Sequence, residues 1–198
     1  MQRRIGLTGG IASGKSTVGR LLEQRGWPVL DADRYARDAL GANSAGARAV
    51  VARYGERVGD ASALNRAELG RIVFQNPTER RWLEQLVHPL VQERFDRELE
   101  DLQSAPVVVL MIPLLFEAGL EHLCSEIWLV DCDGQQQLER LRQRDGLNAL
   151  DARARIEAQW PLSRKRTLAD VVINNRGTND ALIDQLNRFA PVSHGTIW

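Results

Sequence analysis

Short apolar runs and helix-period stretches alternate along most of the chain. Arg4 to Thr8 reads as a first strand, and Lys15 to Arg25 places Val18, Leu21 and Leu22 on one helical face before Gly26 stops it. Pro28-Val29-Leu30 gives a short second strand. The runs VVVLMI (107–112), IWLV (127–130) and DVVIN (170–174) supply three more. These runs are apolar at consecutive rather than alternate positions, as in strands covered on both faces. With helical stretches between them, they predict an α/β fold: a five-stranded parallel sheet with helices on both faces.

Two stretches break the alternation. From about Arg34 to Ser104 only helical signals occur: DRYARDALG, then NRAELGRIVF with Asn65 placed to cap and Glu68 three residues later, then a long amphipathic run from Pro77 to Gln103 interrupted at His88-Pro89. That is too long for one crossover, since a structureless or single-helix connection of this length is uncommon. It predicts a helical subdomain (34–104) inserted into a core made of 1–33 and 105–198. The second stretch, Gln135 to Ala169, is helical and rich in arginine, and predicts a lid over about 135–169.

Composition narrows the picture only slightly. A chain of 198 residues holds one substantial core with an insertion rather than two independent domains. Zero net charge gives no reason to expect nucleic-acid or anionic-membrane binding. The longest apolar run, Val107 to Phe116, is broken by Pro113 and is about half the ~20 residues a spanning helix needs. Cys124 and Cys132 have neither CxxC nor zinc spacing, which fits reduced thiols in a cytoplasmic protein. His88, His122 and His194 are scattered and have no metal-ligand spacing, and the C-terminal PVSHGTIW reads as a loose tail.

The chemistry begins at GGIASGKST. Gly9 to Ser16 fits G-x-x-x-x-G-K-[ST] in full, between an apolar strand and a helix. Glycines let successive backbone N–H groups curl toward phosphate oxygens, and the helix that follows adds the positive end of its dipole. Lys15 is then placed to reach the β- and γ-phosphates of a nucleoside triphosphate and Ser16 to ligate Mg²⁺. No N-K-x-D guanine signature is present, and DCDG (131–134) lies far beyond the loop at a strand exit. The third strand does not end in the aspartate with which ATPases hold magnesium. The acid must come from elsewhere, and VLDADRYAR offers Asp31 and Asp33 at the carboxyl end of the second strand, where open α/β sheets bind ligands. A spacing of two along an extended segment points both carboxylates the same way. One can accept the proton of an attacking hydroxyl while the other orients the acceptor or a magnesium-bound water; alternatively Asp33 caps the next helix. Arg140 and Arg144, four apart, share a helix face and are placed to close over the triphosphate.

Taken in order, GLTGGIASGKSTV, VLDADRYAR, LNRAELGRIVF, HPLV, PLLFE, RLRQRD and ADVVINNRG resemble the dephospho-CoA kinase family over nearly the whole chain. The resemblance implies a P-loop fold with a helical substrate-binding insertion and a lid. It implies transfer of the γ-phosphate of ATP to the 3′-hydroxyl of dephospho-CoA, with Mg²⁺. Its implied nucleotide site is Gly9, Ile11 and Ala12 to Thr17 (Ala12, Ser13, Gly14, Lys15, Ser16, Thr17), with Arg144, and with Asn175 near the adenine. Asp33 becomes the base, with Asp31 beside it and Lys15, Arg140 and Arg144 assisting. The implied acceptor pocket takes in Thr8, His88 and the Pro113-Leu114-Leu115-Phe116-Glu117 turn, and Arg66 meets an acceptor phosphate. The partners are ATP and dephospho-CoA, with no nucleic acid or membrane, and the chain is expected to be a monomer, weak self-association being left open.

This sequence departs from the family pattern at three places. Ala12 stands where glycine is usual and is harmless where its φ is negative. Tyr35 replaces an aliphatic residue, and Asn65 keeps a cap but loses a charge. Two other readings compete. One is a different small-molecule kinase, of shikimate, gluconate or nucleoside-monophosphate type. The other is a silent nucleotide-binding regulator, which would lack the acid or the lid arginines.

Overall fold

A computed structural model describes residues 2–190; the tail reading and His194 lie outside them. In chain order the elements are β1 (Arg3–Gly9), α1 (Lys15–Glu23), β2 (Val29–Asp31), α2 (Ala32–Ala39), α3 (Ala45–Tyr54), β3 (Gly59–Asp60), β4 (Ala63–Leu64), α4 (Arg66–Gln75), α5 (Pro77–Asp101), β5 (Val107–Met111), β6 (Glu126–Asp131), α6 (Gly134–Asp145), α7 (Ala149–Glu157), α8 (Leu162–Arg166), β7 (Val171–Asn174) and α9 (Asn179–Phe189). They divide into two compact units. One runs through Leu30 and resumes at Gln103; the other is Asp31–Leu102.

The first unit carries the five-stranded parallel sheet, in the order β2-β5-β1-β6-β7. β1 lies at its centre, with Ile5 opposite Val109 on one side and Leu7 opposite Trp128 on the other. The consecutive apolar residues that predicted two-sided burial are buried: Val108, Val109 and Leu110 are fully enclosed, as are Trp128, Leu129 and Val130. Val18 and Leu22 of α1 and Leu182 and Leu186 of α9 pack into the same core as Ile5, Leu7 and Val130. Removing this much apolar surface from water is the main force holding the sheet, at about 25 cal/mol per Å². Trp128 stands between Trp27 and Phe189, with ring centroids 6.1 and 6.0 Å away.

The second unit is a helical cluster around Leu40, Val50, Val58, Leu69, Ile72 and Val87. The expectation of helices only is corrected here, because β3 and β4 form a small antiparallel ribbon. Its turn is held by the Asp60 carboxylate, which accepts hydrogen bonds from the Ser62 N–H and hydroxyl and from the Ala63 N–H. Asn65 caps α4 as its position predicts, accepting the Glu68 N–H at 3.1 Å. The expected interruption at His88-Pro89 is also corrected: α5 continues through it with Pro89 inside. A proline removes one backbone hydrogen bond and kinks a helix. Val87, Phe95 and Leu99, on either side of it, are buried, so packing holds the helix together across the fault. Among the described residues, no helix is long and apolar enough to cross a membrane.

Candidate active site

The phosphate loop leaves β1 at Gly9 and enters α1 at Lys15. Gly14, with φ +98°, caps the helix in the left-handed region. A side chain there would also collide with the Asn175 amide. The loop folds back on itself through the Ser13 N–H to the Gly10 carbonyl at 3.1 Å. The Ser13 side chain is fully enclosed, and its hydroxyl has no hydrogen-bond partner. Ala12 has φ +58°, not the negative value at which its methyl would be harmless. Its side chain packs with Ile11 against a cluster of Leu138, Leu141 and Ala152. Ser16 lies exposed and Thr17 half-buried in the first turn of α1, which carries no acidic residue. The first N–H groups of a helix have no partner inside it, so this end is prepared for an anion.

Side chains from the arginine-rich region grip the loop from outside. Gln137 Nε2 donates to the Ile11 carbonyl and Gln159 Oε1 accepts the Ile11 N–H, each at 2.8 Å. Gly10 admits Gln137, since a Cβ there would sit 2.5 Å from its amide nitrogen. Asn175 Nδ2 donates to the Ser13 carbonyl at 2.8 Å, and the Asn175 carbonyl accepts from Arg140 Nη2 at 3.2 Å. Arg140 Nη1 is buried and has no hydrogen-bond partner. An enclosed hydroxyl and guanidinium nitrogen without partners are uncommon in a folded interior. Arg144 has another surrounding: it is exposed and pairs with Asp145 at 2.7 Å, and Arg155 meets the same carboxylate at 3.0 Å. Those partners hold the Asp145 carboxyl below the usual carboxylate range, the hydrogen bond from Arg144 contributing most. Arg140 and Arg144 share a helix, yet their guanidiniums are tied to different groups.

The turn after β5 is fixed at both ends. Thr8, buried in β1, donates its hydroxyl to the Pro113 carbonyl at 3.1 Å. Leu115 is fully buried, beneath Gly6, and Leu114 is exposed. Glu117 Oε1 accepts the Trp160 N–H at 3.0 Å and lies 2.7 Å from Nζ of the fully buried Lys165. Glu117 is therefore occupied by the segment that follows α7.

In the helical unit the paired aspartates differ from the extended arrangement their spacing predicted. Asp31 ends β2 and caps α2, its Oδ1 accepting the Asp33 N–H at 2.9 Å and the Arg34 N–H at 3.3 Å. Asp33 is exposed in the first helical turn, so the cap is Asp31 and not Asp33. Tyr35 is buried, its ring 5.2 Å from that of Phe95 in an edge-on contact, which accounts for an aromatic residue at this position. Arg66 Nη2 donates to the Arg37 and Leu40 carbonyls at the end of α2. His88 is exposed on α5.

Residues 3–180 match the family described as dephospho-CoA kinase. The chain belongs to that family. It is 63% identical over 198 residues to a protein named dephospho-CoA kinase from Parasynechococcus marenigrum (strain WH8102), covering all of both chains. A crystal structure from Thermus thermophilus is 37% identical with a TM-score of 0.83, covering 95% of this chain and 96% of that one. The dephospho-CoA kinase of Campylobacter jejuni, at 24% identity and a TM-score of 0.71, shares the fold over 96% of each chain. This family member is thus an enzyme, a kinase with a P-loop fold.

Sequence reasoning passed over several residues that organise the site. Asp131, which ends β6 and is only 3% exposed, accepts two hydrogen bonds from Arg166 Nη2, both at 2.9 Å, and one from Arg176 Nη2 at 2.8 Å. An acid directly after the apolar run IWLV in an arginine-rich chain was its signal. Gln137, Gln159 and Lys165 gave none, since a glutamine or lysine in a polar helical stretch reads as surface. For magnesium, the Ser16 hydroxyl is a hard oxygen donor of the type that ion requires. No group of three or more His, Cys, Asp or Glu able to hold a metal lies among the described residues.

Proposed function

We propose that the protein transfers the γ-phosphate of ATP to the 3′-hydroxyl of dephospho-CoA, giving coenzyme A and ADP. The observation that carries this reading is a complete phosphate loop running from β1 into α1 in a chain that belongs to the dephospho-CoA kinase family. The loop amides and Lys15 hold the triphosphate. Ser16 would hold the magnesium that accompanies it, and that ion would supply charge neutralisation to the transferring phosphate. Arg140 meets a phosphate oxygen with its unsatisfied Nη1, and Arg144 leaves Asp145 to do the same when the lid segment meets nucleotide. Arg66 and His88 are the acceptor-binding residues of the helical unit, and Thr8 with Pro113, Leu114 and Leu115 are those of the sheet unit.

Asp33 takes the proton of the attacking hydroxyl. Asp31 contributes by fixing the first turn of α2, so that the Asp33 carboxylate starts from a defined backbone. Asp33→Asn keeps the shape and removes the base. Turnover is expected to fall by the ~10²–10⁴ typical of a positioned base while ATP affinity stays within a few-fold. Unchanged turnover would assign the base elsewhere. ADP release measured with dephospho-CoA, shikimate, gluconate, AMP and CMP in parallel tests the acceptor, with phosphorus NMR locating the new phosphomonoester. Release with dephospho-CoA alone supports the reading, and release with a different acceptor overturns it.

A further inference from the structure

The connection from α7 to α8 reaches two functional segments of the same unit within a few residues. Gln159 accepts the Ile11 N–H of the phosphate loop, and Gln137 donates to the Ile11 carbonyl. Both backbone polar groups of one loop residue are therefore held by side chains instead of backbone. The next residue, Trp160, donates its N–H to Glu117 at the end of the turn after β5. The same Glu117 oxygen lies 2.7 Å from Lys165 Nζ, and the Arg164 guanidinium sits 3.3 Å from the centre of the Trp160 ring. Lys165 is fully enclosed and Glu117 Oε2 is buried without a hydrogen-bond partner. Apolar residues of similar volume often serve stability as well as a buried ion pair does. This pair does something they do not: its carboxylate pins the Trp160 N–H, next to Gln159, which holds the Ile11 N–H.

We propose that Gln159, Glu117 and Lys165 are positioning residues. The strap Gln159–Lys165 sets the Ile11 peptide of the phosphate loop and the Pro113–Glu117 turn together, so nucleotide arriving at the loop is felt at the turn. Glu117 thereby acts through the strap and not by touching an acceptor. The inference rests on the loop being the nucleotide site but not on which acceptor is used.

Amide hydrogen exchange at Ile11 and the affinity for magnesium with a non-hydrolysable ATP analogue test it, both without acceptor. Gln159→Leu removes the acceptor from Ile11. Its exchange is expected to quicken at least tenfold and analogue affinity to fall roughly tenfold. Gln159→Glu keeps an oxygen acceptor and is expected to retain Ile11 protection. The double variant Glu117→Leu with Lys165→Met removes the ion pair without stranding a buried charge. It is expected to unfold near the wild-type temperature yet lose Ile11 protection as Gln159→Leu does. Gln159 is only partly buried, so its variants carry the test even where the double variant fails to fold. Wild-type Ile11 exchange and analogue affinity in Gln159→Leu would overturn the proposal. So would their retention in a folded double variant, which would make the ion pair a packing feature alone. A failed acceptor assay with these responses intact would count against the function proposed above and leave the strap standing.

Discussion

Ala12 shows how much one methyl group in the phosphate loop can decide. At φ +58° an L-residue is strained by about 1–2 kcal/mol relative to glycine. Two things offset that. Glycine would add about 0.5–1 kcal/mol of unfolded-state entropy, and the methyl packs against Leu138, Leu141 and Ala152. Ala12→Gly is therefore expected to change unfolding free energy by less than about 1 kcal/mol. Ala12→Val, a branched residue in the left-handed region, is expected to lose about 1–3 kcal/mol and to weaken ATP binding. Urea unfolding and calorimetric titration of both variants check this, and equal behaviour of the two would remove the strain argument. The sign of φ was beyond the reach of the sequence, because the letters around position 12 are compatible with either half of the map. The loop itself was legible, since its spacing encodes the geometry that phosphate requires. The asymmetric roles of Asp31 and Asp33 were not. Spacing of two describes an extended segment, whereas α2 begins between them and turns their side chains to different tasks.

At the scale of elements, α5 is anchored to α3 through charge. Glu79, in its first turn, accepts hydrogen bonds from Arg53 at 2.7 and 3.1 Å and from the Tyr54 hydroxyl at 2.6 Å. These hold its carboxyl down at about 2, Arg53 being the larger cause. Arg53 also lies 4.6 Å from the centre of the Trp82 ring, which meets Tyr54 edge-on. A depressed carboxylate contributes stability above its ordinary value near 4.5, and that contribution is lost as pH falls toward about 2. Wild-type protein should therefore lose stability in the helical unit across that interval. Glu79→Gln keeps one acceptor oxygen, replaces the other with a donor amide and does not titrate, so it should be less stable than wild type at neutral pH and converge with it in acid. Trp82 fluorescence followed through denaturant titrations at several pH values measures this. A constant gap between the two proteins at all pH values would show that charge at position 79 plays no part. The helices themselves were readable from their caps and periodicity. Continuity of α5 through Pro89 was not, because local chemistry says break while the burial of Val87, Phe95 and Leu99 says continue, and burial is a tertiary fact.

At the scale of the whole molecule, the sheet unit carries the phosphate loop and the helical unit carries Asp33, Arg66 and His88. The strands were legible because two-sided burial leaves an unbroken apolar run, and the loop because its backbone demands glycines. The side chains that bond to the loop backbone, Gln137, Gln159 and Asn175, come together with it only when distant segments meet, so no local pattern marks them. If labour is divided between the units, variants in each should move different constants. Lys15→Ala is expected to weaken ATP binding at least tenfold, about 1.4 kcal/mol or more, through loss of a charge-assisted contact to phosphate. His88→Ala removes an exposed side chain, so thermal stability and ATP affinity are expected to hold while KM for dephospho-CoA rises several-fold. Titration of ATP by calorimetry, set beside steady-state kinetics in both substrates, separates the two effects. If His88→Ala alters ATP affinity and spares the acceptor KM, the helical unit is not the acceptor unit. If Lys15→Ala binds ATP normally, the lysine does not reach the phosphates, and the loop holds nucleotide by its backbone and helix dipole alone.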